Sequence, residues 1–194
     1  CTPEDAVPEV VRAIREVEHP IIIRSSVAPG TTSALSKEIG KELFHNPEFL
    51  REASAFDDIM NSKFAILGSP SEYGGTPHSL VDFYEREMRI KVHYCLSNES
   101  EMLKLVVNAH LAMLIGFWNE IKLTCDKLNV NSHELARLAL LDHRIAPYGA
   151  VYHGQPYGGK CLPKDLSTLL RLGGKELLSI LAAVQKRNSD SCES

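Results

Sequence analysis

The sequence of 194 residues lacks every feature that marks a fibrous, disordered or nucleic-acid-binding chain. Its 12 glycines and 10 prolines form no repeat and no low-complexity tract, which excludes a collagen-like or linker-rich chain. A net charge of -4 at pH 7 offers no basic field to hold a phosphate backbone, and this argues against nucleic acid as a partner. With 44% hydrophobic and 24% charged residues, the composition is that of a soluble globular protein.

The sequence also lacks an uninterrupted hydrophobic run long enough for a membrane. Its longest mostly apolar stretch, Leu105 to Trp118, is interrupted by Asn108 and His110 and falls short of the roughly 20 apolar residues that a membrane span needs. No basic, apolar, small-residue signal opens the chain. We therefore expect this stretch to be a buried helix of a soluble protein, with no membrane as a partner.

Cysteine is scarce and without pattern. The five cysteines are an odd number and show no paired spacing, which argues against a disulfide framework and predicts a reducing, cytoplasmic setting. The eight histidines add no H-x-x-x-H pair and the cysteines no C-x-x-C pair, so we expect no metal site. Because the sequence starts without Met and ends in a polar, serine-rich stretch, we also expect it to be a fragment of a longer protein.

Hydrophobic periodicity predicts alternating short helices and strands before residue 98. Pro8 suits the first turn of the first helix, and Thr31 or Thr32 is expected to cap the second. Alternation of this kind indicates an α/β layer. The expected helices cover residues 9–17, 31–40 and 79–87, and the expected strands cover residues 21–24, 64–67 and 91–96.

The pattern changes at Asn98 to one continuous helix that reaches Leu128, about 31 residues or ~46 Å at ~1.5 Å per residue. The helix carries two apolar stripes, which predicts burial on both sides, between domains or against a second subunit. The stripes run through Met102, Leu105, Val106, Ala109 and Met113, and through Leu103, Val107, Leu114, Trp118 and Ile121.

Helical patterns also fill the rest of the chain. Asn131 and Glu134 fit a capping box for a helix that reaches Leu141, and two more helices are expected later. Those two cover residues 162–171 and 176–187. We therefore predict a first domain of residues 1–97 and a second, all-α domain of residues 98–194.

A glycine-rich loop precedes the helix expected from residue 162. Gly158 and Gly159 let the backbone approach a ligand closely. Cys161 lies between Lys160 and Lys164 at a helix N-terminus, where unpaired N–H groups and two cations favour a thiolate nucleophile. A free cysteine is also commonly a buried structural residue, and the loop alone does not choose between these interpretations.

Lys104 and Asn108 are four residues apart and share one face of the long helix. A lysine and an amide held there could polarise a substrate hydroxyl or stabilise an oxyanion. A snorkelling lysine beside a satisfied core asparagine is the plainer interpretation. Glu48 and Glu52, in the segment from Asn46 to Glu52, could similarly face a ligand or belong to a solvated loop.

Four sequence blocks, taken together, resemble the UDP-glucose/GDP-mannose dehydrogenase family in the family's own order. Residues 25–32 resemble its S-T-V-P-P-G-T-T turn, and residues 46–55 its N-P-E-F-L-x-E-G-[ST]-A segment. Residues 101–109 resemble its E-x-x-K-x-x-x-N-A helix, and residues 158–165 its G-G-x-C-x-P-K-D catalytic loop. The resemblance implies a partial Rossmann-like α/β layer followed by an all-α central dimerisation domain with one long helix.

The resemblance also implies a chemistry, the four-electron oxidation of a nucleotide sugar's primary alcohol to a carboxylate with NAD as the cofactor. It makes Cys161 the nucleophile, which forms a thiohemiacetal and then a thioester. Lys104 would stabilise negative charge on the sugar oxygen, Asn108 would hold that oxygen or a water, and Asp165 would orient the lysine or the water. Glu48 is the implied base for hydrolysis of the thioester.

Other positions are implied to bind the two ligands. Those that would contact the substrate are Phe49, Leu50, Arg144, Gly158 and Gly159. Those that would contact the cofactor are Ser26, Glu52 and Lys164. We also expect a homodimer through the long helix, because its second apolar stripe has no other evident partner in the sequence.

The sequence departs from the family pattern at several places. Ser26 stands for a threonine, Ala28 for a proline and Ala53 for a glycine. Nowhere is there the G-x-G-x-x-G loop that holds a dinucleotide pyrophosphate. The chain therefore resembles the second part of the family's NAD domain joined to its central domain, and we expect it to be inactive alone.

Two other interpretations stay open on the residues alone. A β-hydroxyacid dehydrogenase also carries a Lys-x-x-x-Asn pair on a helix, but it has no need of Cys161 or of the segment from Asn46 to Glu52. A non-catalytic dimerisation module could keep the same residues as relics of its fold. All the residues that the implied chemistry needs are present, and this argues against a module that keeps them only as relics.

Overall fold

The computed structural model describes residues 3–50, 55–70, 78–151 and 153–192. Contacts within the chain divide it into a first unit, Cys1–Lys104, and a second unit, Leu105–Ser194. The first unit is a mixed α/β layer and the second is helical in its described part, which confirms the predicted fold class. The domain boundary expected between residues 97 and 98 remains a prediction.

A four-stranded sheet forms the centre of the first unit. Its strands are β1 (Ile21–Ile23), β2 (Leu43–His45), β3 (Phe64–Ser69) and β4 (Lys91–Leu96), in the order β1-β2-β3-β4. β1 and β2 are parallel, as are β3 and β4, and β2 meets β3 antiparallel at the pair His45 and Gly68. Because β1 and β2 run in the same direction, the segments that follow their carboxyl ends start at one edge of the sheet.

Helices cover both faces of this sheet. They are α1 (Pro3–Ala13), α2 (Thr31–Ile39) and α4 (His78–Asp82), the last continued by a π-helical turn, Phe83–Glu87. A short helix, α3 (Ala55–Met60), lies between β2 and β3 in the chain. Ile21 and Ile23 pack with Leu35 of α2, whereas Phe44 packs with Leu80 of α4 in a second cluster. Strands covered on both faces are apolar throughout, which explains the unbroken apolar run of β1.

Most of the predicted elements of the first unit are confirmed. The strands predicted at residues 21–24, 64–67 and 91–96 and the helix predicted at residues 31–40 agree with the structure to within two residues. The helix predicted at residues 79–87 is α4 together with its π-helical turn.

The first helix differs from the predicted one. It covers Pro3–Ala13, so Pro8 lies inside it and not in its first turn. Val7 and Val11, one turn apart, pack against the core of the sheet, whereas Ile14 is exposed. The contacts of Val7 and Val11 therefore decide where this helix lies, and the periodicity that extended it toward residue 17 was misleading.

α5 (Ser97–Leu128) runs from the first unit into the second. The helices that follow are α6 (Ser132–Ala139), α7 (Cys161–Gly173) and α8 (Ser179–Cys192), so the helix predicted from residue 176 begins three residues later. One hydrophobic core joins Leu105 of α5 to Leu166 of α7 and, at its border, Leu181 of α8. A second core joins Trp118 of α5 to Ala136 and Ala150.

α5 has 32 residues, or ~48 Å at ~1.5 Å per residue. Among the described residues, α5 is the helix that is long and apolar enough to cross a membrane, because 18 of its residues in a row have a mean hydropathy of 1.3. Core helices of soluble proteins can be equally long and apolar. Of these 18 residues, 44% are buried inside the chain. Within the chain, Leu105 and Trp118 are buried whereas Met102 and Val106 are exposed. Burial of the exposed residues against a second subunit remains a prediction.

Candidate active site

A buried lysine, Lys104, lies against the segment that follows β2 in the first unit. Its side chain is on α5, and the residue is only 9% exposed. Its Nζ donates a hydrogen bond to the carbonyl oxygen of Glu48 and lies 5.3 Å from the centre of the Phe49 ring. A carbonyl dipole and the negative face of a ring both stabilise a cation. The ammonium is therefore held at this segment and does not snorkel to solvent.

Asn46 anchors the start of the same segment. Its Nδ2 donates to the carbonyl oxygen of Ile66 at 2.8 Å, and its Oδ1 accepts from the Tyr84 hydroxyl at 3.0 Å. Its backbone N–H donates to the carbonyl oxygen of Ile23 at 2.9 Å. These bonds to β1, β3 and the π-helical turn explain why an asparagine starts the segment, a role that the sequence did not reveal.

The turn after β1 is held by Glu101, a fully buried carboxylate on α5. Its oxygens accept hydrogen bonds from Gly30 N at 2.5 Å, from Thr32 N at 2.7 Å and from Thr32 Oγ1 at 2.6 Å. Burial raises the pKa of the Glu101 carboxyl, and the three hydrogen bonds oppose that shift. The expected cap of α2 by Thr31 or Thr32 is therefore wrong, because the carboxylate of Glu101 satisfies the first N–H groups.

A second buried group, His45 at the end of β2, contacts the same turn. Its Nδ1 is 2.8 Å from the Ser100 hydroxyl, and its Nε2 is 3.3 Å from the carbonyl oxygen of Ser25. Burial, assisted by the positive charge of Lys104, lowers the pKa of His45 to about 4, although the bond to Ser25 opposes the shift. A neutral imidazole therefore lies beside the residue that precedes Ser26, which is itself half-buried.

In the second unit, Asn108 of α5 and Asp165 of α7 form a buried pair. The Nδ2 of Asn108 donates to Asp165 Oδ2 at 2.5 Å. The other carboxylate oxygen, Oδ1, is 3.0 Å from the half-buried Nζ of Lys164. A buried carboxylate that accepts a hydrogen bond from an amide and forms an ion pair with an ammonium is held in one orientation.

Cys161 is the first residue of α7 and is an exposed, free thiol. The residues before it are exposed as well, and Gly159 has a φ of +72, in the left-handed region that favours glycine. A Cβ added at Gly158 or Gly159 would meet no atom within 4 Å, so the space beside the loop is open. By contrast, Cys125 is buried and Cys95 is half-buried.

The residues singled out from the sequence fall into two groups. Lys104, Glu48 and Phe49 meet in the first unit, and Asn108, Asp165 and Lys164 meet in the second. Lys104 and Asn108 are neighbours one turn apart on α5.

The remaining residues lie apart from these contacts or outside the described residues. Leu50 is half-buried after β2. Arg144 is exposed, and its guanidinium pairs with Asp142 at 2.5 Å, which lowers the pKa of that carboxyl. Glu52 lies outside the described residues.

Known proteins resemble both the sequence and the structure. The profile of the UDP-glucose/GDP-mannose dehydrogenase family, central domain, matches residues 98–190. A UDP-glucose 6-dehydrogenase from Campylobacter jejuni is 33% identical over 171 residues, which are 85% of this chain and 42% of that protein.

Two solved structures carry the same fold. A UDP-glucose dehydrogenase from Pyrobaculum islandicum is 30% identical, with a TM-score of 0.80 over 96% of this chain and 45% of its own. A GDP-mannose dehydrogenase from Pseudomonas aeruginosa is 26% identical, with a TM-score of 0.59 over 98% of this chain and 47% of its own. The chain thus spans less than half of the length of these relatives. It belongs to the UDP-glucose/GDP-mannose dehydrogenase family.

Proposed function

We propose that the chain is the catalytic core of a cytoplasmic, NAD-dependent nucleotide-sugar 6-dehydrogenase. The observation that carries this proposal is the exposed thiol of Cys161 one helical turn before Asp165, whose buried carboxylate holds Asn108. Lys104 precedes Asn108 by one turn of α5 and adds a buried positive charge. Family membership supports the same chemistry.

UDP-glucose is the substrate that we propose first. Relatives that are 33% and 35% identical, from Campylobacter jejuni and Pseudomonas aeruginosa, are named UDP-glucose 6-dehydrogenase. The reaction would convert the C6 alcohol of the sugar to a carboxylate, removing two hydride ions, consuming one water and releasing three protons. NAD, when bound, supplies the acceptor for each hydride.

Different residues of this chain would act in the first oxidation, in the second oxidation and in the hydrolysis that follows. As the C6 hydroxyl loses its proton and C6 its hydride, Lys104 stabilises the developing charge on oxygen, and Asn108 holds that oxygen. The Cys161 thiolate then attacks the aldehyde carbon, and the aldehyde oxygen takes up a proton. The thiohemiacetal loses the second hydride from C6 and its hydroxyl proton to become a thioester. A water deprotonated by Glu48 attacks the thioester carbon, and Cys161 leaves as a thiolate.

Residues around the reacting groups would bind and orient the substrate. Asp165 fixes the side-chain amide of Asn108, so that the amide meets the sugar oxygen in one orientation. Phe49 and Leu50 would contact the sugar through their backbone, and the open space beside Gly158 and Gly159 leaves room for it. Arg144, from the surface of the second unit, would contact the substrate as well.

The chain offers part of a binding site for NAD. Ser26 follows β1 and Asn46 follows β2, at the sheet edge where parallel α/β folds bind dinucleotides. Ser26 would hold the cofactor there, and Glu52 and Lys164 would contact the cofactor as well. The sequence has no G-x-G-x-x-G loop for the pyrophosphate, so this part of the site fits only one end of the dinucleotide.

The proposed reaction is tested on the gene product that contains this chain. NADH absorbance is followed with UDP-glucose, GDP-mannose and N-acetylated UDP-sugars, and reactions without sugar serve as the blank. We expect two NADH per sugar consumed and a uronic acid as the product. Production of one NADH per sugar would refute the four-electron chemistry, and no NADH with any of these sugars would refute the proposed function.

We also propose a homodimer through α5. Met102, Val106 and Phe117 lie four and eleven residues apart on this helix and are exposed, Phe117 by 52%. An exposed apolar stripe of this kind fits a second copy of the same helix. Trp118, from the other stripe, already packs against Ala136 within the second unit, so that stripe does have a partner in the chain.

Light scattering tests the dimer. We expect Phe117→Glu to halve the mass, because it places a charge in the apolar contact. Phe56→Glu is the matched control, since Phe56 is 75% exposed on α3 and should leave the mass unchanged. A monomeric wild-type protein, or a dimer that survives Phe117→Glu, would contradict this assembly.

A further inference from the structure

Two asparagines bind the backbone of the segment that leads into the Cys161 loop. The first, Asn119 on α5, is buried. Its Oδ1 accepts a hydrogen bond from Gly154 N at 2.6 Å, and its Nδ2 donates to the carbonyl oxygen of Gln155 at 2.8 Å. Both polar atoms of this amide are therefore engaged by two successive residues of the loop. Gly154 has a φ of +101, so the bonded backbone is in a conformation that favours glycine.

The second asparagine, Asn188 on α8, binds the other end of the same segment. Its Oδ1 accepts from Tyr157 N at 2.8 Å, and its Nδ2 donates to the carbonyl oxygen of Tyr157 at 3.0 Å. An amide that pairs with both backbone groups of one residue reproduces the two-bond pairing found between antiparallel strands. The Tyr157 side chain is buried in the core formed with Leu105 and Leu166.

The two asparagines hold the segment at both ends, one from α5 and one from α8. After Tyr157 the chain has Gly158 and Gly159, which are exposed and have open space beside them. Glycines restrict the backbone little, so the position of the exposed loop depends on what holds its start and its end. Its end is the first turn of α7, where Cys161 lies.

We propose that Asn119 and Asn188 are positioning residues that hold the loop of Gly158, Gly159 and Cys161 in the geometry required by the thiol. The kinetic consequence rests on the proposed function, whereas the structural consequence does not. Neither residue belongs to the four sequence blocks, and both act through the backbone of residues 154–157. They set the attack angle of the sulfur and do not touch the reacting atoms.

Aspartate is the substitution that separates this role from simple space filling. Asn188→Asp and Asn119→Asp keep the shape of the side chain but remove the NH₂ donor. Each places a carboxylate oxygen against a backbone carbonyl oxygen, a repulsive contact at a buried position for Asn119 and at a half-buried one for Asn188. A residue that merely fills space would tolerate this change.

The matched control is Asn131→Ala. Asn131 also holds two backbone groups, His133 N and Glu134 N at 3.1 Å each, but it does so at the start of α6. Alanine at this position removes two backbone hydrogen bonds from the second unit, whereas each aspartate variant loses the one bond that its NH₂ group donated and gains a repulsive contact. The control therefore carries a comparable loss of stability without touching the loop.

Hydrogen exchange of the 194-residue chain gives the first readout. The amides of Gly154 and Tyr157 donate to Asn119 and Asn188. We expect each to exchange about tenfold faster in the aspartate variant of its partner and to be unchanged in Asn131→Ala. Unchanged exchange of these amides in folded aspartate variants would overturn the proposal, as would an equal increase in the control. Where an aspartate variant fails to fold by circular dichroism, the corresponding serine variant replaces it, with the same two outcomes.

Kinetics of the gene product that contains this chain give the second readout. We expect kcat to fall about 10- to 100-fold in each aspartate variant, while KM for the nucleotide sugar stays within about threefold. An active wild type with unchanged kcat in both variants overturns the positioning role and leaves the proposed function intact. A wild type without activity refutes the proposed function, and the exchange experiment then decides the positioning role alone.

Discussion

Protonation of His45 should destabilise the first unit as the pH falls below neutrality. The imidazole is fully buried between the Ser100 hydroxyl and the Ser25 carbonyl oxygen, and burial lowers its pKa to about 4 from an ordinary value of 6.5. Between these two values the unfolded chain binds a proton that the folded chain does not bind. The stabilisation is therefore fully present above pH 6.5 and is lost as the pH falls toward 4.

The size of the effect follows from the gap between the two pKa values of His45. At ~1.4 kcal/mol per pH unit the gap corresponds to about 3 kcal/mol in total. Integrated from about pH 7.5 to about pH 5, the free energy of unfolding should fall by about 2 kcal/mol. The effect belongs to a buried group, so salt should screen it little.

The assay must report on the first unit, since the single tryptophan, Trp118, lies in the second. Hydrogen exchange of Asn46 N, which donates to Ile23 in the sheet, measures opening of that unit at each pH after correction for intrinsic exchange. His45→Gln should remove the pH dependence. His143→Gln, at a side chain that is 96% exposed, is the control and should keep it. A wild-type slope equal to that of His45→Gln would refute the reasoning.

The other perturbations concern the thiol, the buried carboxylate and the cofactor. Cys161→Ser should nearly abolish NADH production, while nucleotide-sugar affinity stays within about threefold, and normal turnover of this variant would rule out the thioester. Iodoacetamide should modify Cys161 about tenfold faster than Cys125. Glu101→Ala leaves two N–H groups and a hydroxyl without their acceptor. It should therefore lower the free energy of unfolding by about 3 kcal/mol, which corresponds to a fall in Tm of about 6–12 °C. A change in Tm below about 2 °C would disprove the capping role. Calorimetry should detect very weak or no binding of NAD to the isolated chain, and micromolar affinity would contradict the argument from the missing glycine loop.

Local sequence patterns predicted those helices and strands that depend mainly on neighbouring residues. β4, α2 and the long helix α5 agree with prediction, because strand alternation, helical spacing and a closing glycine are properties of neighbouring residues. Asn131 caps α6 as predicted, but Glu134 pairs with Arg137 and does not close the capping box.

The resemblance to the family identified the candidate catalytic residues, but it did not reveal which side chains they contact. That Asp165 holds Asn108 was not evident from spacing, because this contact joins α5 to α7 across 57 residues. Asp165 also pairs with its neighbour in the chain, Lys164. The roles of these residues stay predictions, whereas their burial and pairing are structural facts.

The sequence by itself determined most of the elements and the family, since both depend on local patterns and ordered blocks. It did not predict the short strand β2 or the short helix α3. Tertiary structure alone decided which groups satisfy the turns and loops around the candidate site. Glu101 caps α2 from 69 residues away, and Asn188 holds Tyr157 from 31 residues away. Such partners leave no periodic trace, because any residue with a carboxylate or an amide of the right length can fill the role once folding brings it there. Burial then makes each partner necessary, since a backbone N–H removed from water must find an acceptor within the fold.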